Sequence, residues 1–475
     1  MIVSIEGIPE ERRYDVCIAG GGPAGMTLAL ALAEKGKEVL LLEGGGTEFS
    51  NRSQDLYIGE NIGDPYHELD SGRLRFLGGT SNHWVGQCRP MDAIDFAYKD
   101  YCPEAHWPIE RQDLDPYLAR AMEILDLEGD FDDEVLDPTI RRQTFLWSNP
   151  ATRFGEKYES VLRDSPRIVL ALEASVVGVD IQGARVGGLR IRNFEGYERT
   201  VTADSFVLAC GGIENNRLLL HFNAETGGQL VPEARTLGRY FMDHPFFPIG
   251  EAVLPAETER EMTYERARGP FFGLTTERKR ELGVLNCSLE LDTPTTRAGS
   301  RQLVHDLVCT APRLGDWVWQ QLGREGLCEG RRLIATWEEE PKFDSYITLS
   351  ETQRDDFGIP RAALHWRRSA RDLETFRTTA IEFGSLLARQ NRGRMRLYQW
   401  VLDGDWPDRE MGGYHHLGGT RMSNSATNGI VTPDLRLWGT DNMYIAGSSV
   451  FPAGGHANPT LTIVQLSLRL ADHLA

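Results

Sequence analysis

The stretch that most constrains this chain is Tyr14-Asp-Val-Cys-Ile-Ala-Gly-Gly-Gly-Pro-Ala-Gly25, which runs on through 26–34 and 37–43. An apolar run, a glycine cluster, an alanine- and leucine-rich run and a second apolar run read as strand, turn, helix and strand. Gly20 permits the tight turn, Gly22 lets a pyrophosphate approach the backbone at the helix N-terminus beside Pro23 and Ala24, and Gly25 lets helix and strand pack closely. Glu43 ends the second strand, where a carboxylate can accept hydrogen bonds from both hydroxyls of an adenosine ribose. The same carboxylate repels a 2′-phosphate, so FAD or NAD is expected and NADP is disfavoured. Glycine turns also arise for steric reasons alone, and it is the flanking strands and the acidic terminus that make the dinucleotide reading specific.

Residues 205–220 repeat the grammar of an apolar strand, a glycine turn and a helix, which predicts a doubly wound α/β core resumed after insertions. Between the two, 168–179, 186–191 and 198–202 read as successive strands of a small sheet. Residues 241–411 differ, with short alternating runs such as 345–350 and 363–366 and a helix at about 370–389, the pattern of an antiparallel sheet with helices on one side. At 475 residues the chain allows two to four domains. The expected division is a discontinuous dinucleotide-binding domain (1–100, 165–240 and 412–475), a connecting segment (101–164) and a substrate domain (241–411).

Charge and cysteine content exclude several classes. Fifty-one Lys and Arg against seventy Asp and Glu give a net charge of −19, which repels phosphate backbones and removes nucleic acid as a partner. Neither a signal-peptide pattern at Met1 nor an uninterrupted apolar window of membrane length is present, so neither export nor a membrane span is expected. The seven cysteines, at 17, 88, 102, 210, 287, 309 and 328, are odd in number and contain no C-x-x-C pair. This argues against a disulfide framework and against a zinc site, and makes a reducing cytoplasm the simplest home.

The C-terminal stretch is densest in chemistry. Gly412-Gly-Tyr-His-His-Leu-Gly-Gly-Thr-Arg-Met422 precedes a strand near 442–447, then Ser448-Ser-Val-Phe-Pro-Ala-Gly-Gly-His-Ala-Asn-Pro-Thr460 and a helix. Three of its histidines sit in glycine-rich loops, which suggests a site more than a core. Asn458 and Pro459 suit the N-cap and first position of that helix. A helix start placed under a flavin would aim its positive end at the reduced ring's negative charge.

Taken together these motifs resemble the glucose-methanol-choline (GMC) oxidoreductases, FAD-dependent oxidases and dehydrogenases of sugars and alcohols. The resemblance rests on the N-terminal glycine turn, Gly78-Gly-Thr-Ser-Asn-His-Trp84, Trp107-Pro-Ile, Asp113-Leu-Asp-Pro-Tyr117, Arg153-Phe-Gly155 and Val207-Leu-Ala-Cys-Gly-Gly212. Leu237-Gly-Arg-Tyr-Phe-Met-Asp-His-Pro245 and the two C-terminal histidine loops complete it. In length and motif style the chain is most similar to compact bacterial members related to pyranose oxidase and glycoside 3-oxidases. The resemblance implies a Rossmann-like FAD-binding domain and an α+β substrate domain with a large antiparallel sheet. It implies His415 as the catalytic base, Asn458 as the partner whose amide holds the substrate oxygen, and hydride transfer to flavin N5. The implied FAD contacts are Gly20, Gly22, Pro23, Ala24, Gly25, Glu43, Gly79, Ser81, Asn82, His83, Val176, Ala209, Gly447, Ser448, Pro459 and Thr460.

His83 occupies the position that resembles the flavin-linking histidine of pyranose oxidases, so a covalent bond to FAD is one expectation and simple packing beside the ring the other. His416 and His456 either line the pocket or are structural. Two positions depart from the family pattern: Gly419 stands where many relatives carry Thr, and Thr432 where Asp is frequent. The expected partners are a small sugar, glycoside or aminoglycoside-like polyol, and oxygen or another electron acceptor. A flavin-containing lyase of the hydroxynitrile type is the rival on the same fold; an NAD-dependent dehydrogenase would explain only the first forty-five or so residues. The sequence does not fix the oligomeric state.

Overall fold

The computed structural model describes residues 1–262, 270–292 and 331–475. Six strands form one wholly parallel sheet: β1 (Ile2–Val3), β2 (Val16–Ala19), β3 (Val39–Leu42), β4 (Ile168–Ala171), β5 (Ser205–Leu208) and β6 (Met443–Ile445), in the order β1-β4-β3-β2-β5-β6. Strands β2, β3, β4 and β6 are buried at every position, as the unbroken apolar runs require of a sheet covered on both faces. Helix α1 (Pro23–Glu34) leaves the glycine turn and packs against the C-terminal helix, with Leu28 and Leu32 in one buried core with Leu461 and Val464.

The 168–179 run is not one strand of a small sheet. Its first part is β4, inside the parallel sheet between β1 and β3. Only Ser175–Gln182 turns away to pair with Arg185–Arg192, which in turn pairs with Glu198–Val201. Glu173 marks the break, with φ at 54°.

A seven-stranded antiparallel sheet runs Arg394–Leu397, Phe246–Val253, Arg331–Trp337, Cys287–Asp292, Pro270–Leu274, Ile140–Thr144 and Glu134–Val135. Helix α2 (Gly212–Glu225) follows β5, and helix α3 (Ala370–Arg389) covers the antiparallel sheet. The start of α3 is fixed by a reciprocal cap: Asp372 N–H donates to Ser369 Oγ at 3.0 Å and Ser369 N–H to Asp372 Oδ2 at 2.8 Å. Its apolar face buries Phe376 against Trp337 (ring centroids 4.6 Å apart) and Phe383 against Phe272 (4.7 Å).

A third sheet joins the two halves, in the order Leu417–Gly419, Arg239–Met242, Tyr346–Arg354, Pro360–His365, Glu60–Asn61. Its antiparallel register sets Met242 opposite Leu417 and Arg239 opposite Gly419. The residues just after one strand, Asp243 and His244, therefore lie beside those just before the other, Gly413 to His416. Gly419 itself must be glycine: its φ is 89°, and a Cβ would stand 2.2 Å from Asn216 Oδ1. At Thr432 the hydroxyl accepts from the Arg436 N–H at 3.2 Å, a turn bond that an Asp side chain would also make.

Cys17, Cys88, Cys102, Cys210 and Cys287 are free thiols; Cys309 and Cys328 lie outside the described residues. Among the described residues no helix is long and apolar enough to cross a membrane.

Candidate active site

The carboxyl ends of β2, β3, β5 and β6 converge on a cavity of about 520 Å³, whose opposite wall is the Gly413–His416 segment. This is where open α/β sheets bind ligands. Gly20 turns at φ 112°, and a Cβ there would meet the Ala209 carbonyl oxygen at 2.4 Å; one on Gly25 would stand 1.9 Å from the Gly20 carbonyl oxygen. Gly22 is the opposite case, with nothing within 4 Å of a Cβ because it faces the cavity. It also caps α1 without a side-chain bond, so the first N–H groups of α1 are free for an anion.

Glu43 holds the turn from the side, its two oxygens accepting from Gly21 N–H at 2.9 Å and Gly45 N–H at 2.7 Å. Pro23, Ala24, Gly79, Ser81, His83, Ala209, Gly447, Ser448, Pro459 and Thr460 line the same cavity. Gly25 and Asn82 do not: Gly25 packs α1 on β2, and Asn82 Nδ2 donates to Leu77 O at 3.0 Å, bracing the Gly78–Gly79 turn. Val176 lines a smaller adjoining recess with Glu43, Tyr57 and Cys210. His83 faces the cavity with a backbone hydrogen bond to Gly72, and burial lowers its pKa.

His415 and Asn458, 43 positions apart in the sequence, are bridged by β6 and by Ser448, whose hydroxyl donates to the His416 carbonyl at 2.6 Å. Asn458 starts helix α4 (Pro459–Leu474) and leaves its N-terminus uncapped. Its Nδ2 donates to Gln87 O at 3.0 Å and to Gln87 Oε1 at 3.2 Å. Because a backbone carbonyl can only accept, this fixes the amide orientation and leaves Oδ1, an acceptor, for the cavity. His415 also lines the cavity, and its Nδ1 is sealed within the protein with no hydrogen-bond partner, which leaves Nε2 on the open side. Burial lowers the His415 pKa from 6.5 against the opposing pull of Asp243, so the ring is neutral at pH 7.

Sequence reasoning gave no role to the pedestal beneath this histidine. Asp243 Oδ1 accepts from His415 N–H (2.7 Å) and His244 N–H (2.7 Å), and Oδ2 from Gly413 N–H (2.9 Å) and Tyr66 OH (2.6 Å). Burial pushes this carboxyl up, but His416, His415 and the Tyr66 bond outweigh it and hold the pKa below the usual range. The Asp-His pair was visible in the sequence at 243–244; its pairing with 413–415 is a product of the third sheet.

His416 touches the cavity and packs near Tyr66 and Phe241, where burial drives its pKa down to about 3. His456 is fully buried below Asn458, edge-on to Phe145, and does not line the cavity. Asp92, Asp95 and His456 bring ligand-type atoms within 4.8 Å of one another. Asp92, however, is already paired with Arg89 (3.0 Å) and Arg141, with Lys279 Nζ 3.6 Å away, so the charge that would attract a cation is neutralised. The cluster supports the loop that carries Asn458.

Residues 341–467 match the GMC oxidoreductase family model, and 14–240 match that of the pyridine nucleotide-disulphide oxidoreductases. The C-terminal part of the chain thus carries a GMC oxidoreductase domain. The C-glycoside 3-oxidase of Microbacterium trichothecenolyticum is 24% identical over 84% of this chain and 75% of its own length. The 2-methyl-1,2-propanediol dehydrogenase of Mycolicibacterium austroafricanum is 22% identical over 97% of this chain and 95% of its own. Pyridoxine 4-oxidase from Mesorbium loti shares the fold at a TM-score of 0.58, over 97% of this chain and 99% of that one, with 16% identity.

The residues of this cavity fit FAD. Gly22 and the free N–H groups of α1 would hold a pyrophosphate in a space that any Cβ at Gly22 would enter, and Glu43 and the Val176 recess would take the adenosine. The uncapped start of α4 would supply positive potential to the charge of a reduced ring.

Proposed function

We propose that this chain is a GMC oxidoreductase that oxidises a hydroxyl of a sugar, glycoside or aminoglycoside-like polyol to a carbonyl. The observation that carries the reading is that a neutral, half-buried imidazole, His415, and the acceptor oxygen of Asn458 open into the cavity that also contains the dinucleotide cradle. When bound, FAD supplies the acceptor for the hydride that leaves the carbinol carbon. His415 Nε2 takes the hydroxyl proton, which a neutral imidazole with a free lone pair can do. Asn458 Oδ1, its N–H groups committed to Gln87, accepts from a second hydroxyl and so orients a polyol better than a simple alcohol. The C-glycoside 3-oxidase likeness points the same way, and oxidation, unlike the lyase alternative, is what the named relatives share.

In this reading 1–100, 165–240 and 412–475 hold the cofactor, 101–164 connects, and 241–411 shapes the substrate side. His83, which lines the cavity, is the candidate either for a covalent bond to the flavin or for packing beside its ring, and oxygen or another acceptor reoxidises the cofactor. The test is anaerobic addition of monosaccharides, O- and C-glycosides and aminoglycosides while following the visible flavin band. Bleaching by a sugar supports the assignment. Bleaching by sterols or simple aliphatic alcohols with none by any sugar overturns it.

A further inference from the structure

A base that takes a proton through one imidazole nitrogen needs its other nitrogen held as a donor, the part an aspartate plays in a serine protease triad. Among the described residues no carboxylate plays it. Asp243, the acidic group nearest His415, receives four donors, and all of them are backbone N–H groups or the Tyr66 hydroxyl, never the ring. His415 Nδ1 is left buried and unpartnered among the described residues.

The group facing it is His244. The two rings meet edge to face, centroids 5.4 Å apart at 84°. His244 is itself fully buried, and its Nε2 lies 3.1 Å from the Gly454 carbonyl oxygen. A carbonyl can only accept, so this contact places the His244 proton on Nε2 and makes its Nδ1 a lone-pair acceptor. That Nδ1 is also buried and unpartnered. Two orphaned Nδ1 atoms on adjacent perpendicular rings, one of them fixed as an acceptor, are complementary. We propose that His244 is a positioning residue that sets the tautomer of His415, accepting its Nδ1–H through one bridging water or after a small turn of either ring and leaving the Nε2 lone pair on the cavity side. The chain of command runs from the Gly454 carbonyl to His244, then to His415.

The inference rests on His415 being the base, but the tautomer itself is measurable without turnover. Histidine-selective ¹⁵N NMR of the flavin-loaded protein, with the His415 signals assigned by their loss in His415→Ala, should show Nδ1 protonated and Nε2 bare. In His244→Phe, which keeps a ring of similar size but has no acceptor, the proton should move to Nε2. Flavin reduction by a sugar should then slow by about 10–100-fold, the usual loss on removing a group that orients a working histidine. His244→Asn, which retains an acceptor oxygen near the Nδ1 position, should recover most of that rate. A wild-type His415 with a bare Nδ1 overturns the proposal even if every variant folds poorly. Equal reduction rates in His244→Phe and wild type overturn it as well. If no sugar reduces the wild-type flavin, the functional reading fails, while the NMR result still decides the tautomer.

Discussion

Replacing Gly22 and Gly25 separately should produce opposite defects, although the two glycines are three positions apart in one turn. A Cβ on Gly25 would sit 1.9 Å from a backbone oxygen, so α1 must back away from β2 by roughly 1 Å or more to restore a normal contact. Overpacking of this kind costs about 1–3 kcal/mol, and Gly25→Ala is expected to melt below wild type with or without cofactor. Gly22 has nothing within 4 Å of a Cβ and a φ of −92°, which any residue adopts. Gly22→Leu should therefore leave the apoprotein within about 1 kcal/mol of wild type, the scale of an N-cap change. Its side chain instead fills the space a pyrophosphate needs, and the same ~1–3 kcal/mol of overpacking would fall on the complex, weakening FAD about 5–150-fold. Flavin absorbance per mole of purified protein, together with thermal melting of the stripped proteins, separates the two cases. A fully flavin-loaded Gly22→Leu, or a Gly25→Ala that melts like wild type, would refute the cradle.

Two further outcomes follow from the buried histidines and from His83. Burial holds His244 and His416 at about 3 against 6.5 when unfolded; their folded pKa values are depressed, so stability is full above pH 6.5 and is lost as the pH falls toward 3. At pH 5.5 each costs about 1.4 kcal/mol, and denaturant midpoints should drop between pH 7.5 and 5.5, by less in His416→Phe; an unchanged wild-type midpoint contradicts the burial. Acid precipitation of the holoprotein should carry the yellow chromophore into the pellet if His83 is bonded to the flavin, and a yellow supernatant removes that bond.

The parts of the molecule legible in the sequence are those where one local signal dominates. The glycine turn, the unbroken apolar β2 and β3, and the capped amphipathic α3 each declare themselves within a dozen or so residues. The 168–179 run misled because β4 and the strand that follows are both apolar, and only the backbone reversal at Glu173 separates them. His415 and Asn458 were named from motifs, but what holds them is long-range. Asp243 reaches His415 across 172 positions and Gln87 reaches Asn458 across 371. No periodicity in the chain reports either contact, since the first depends on sheet register and the second on how the start of α4 packs against 87–88. Val176 was placed with the cofactor, and lies in the recess at the Glu43 end and not in the main cavity.

The central claim is that His415 takes the proton while hydride leaves the substrate, and stopped-flow flavin reduction under anaerobic conditions tests it most directly. With a sugar that bleaches the wild-type flavin, His415→Ala should keep its full flavin content and reduce about 10²–10⁴-fold more slowly, the usual contribution of a positioned base. Reduction at close to the wild-type rate in a flavin-loaded His415→Ala would contradict the account.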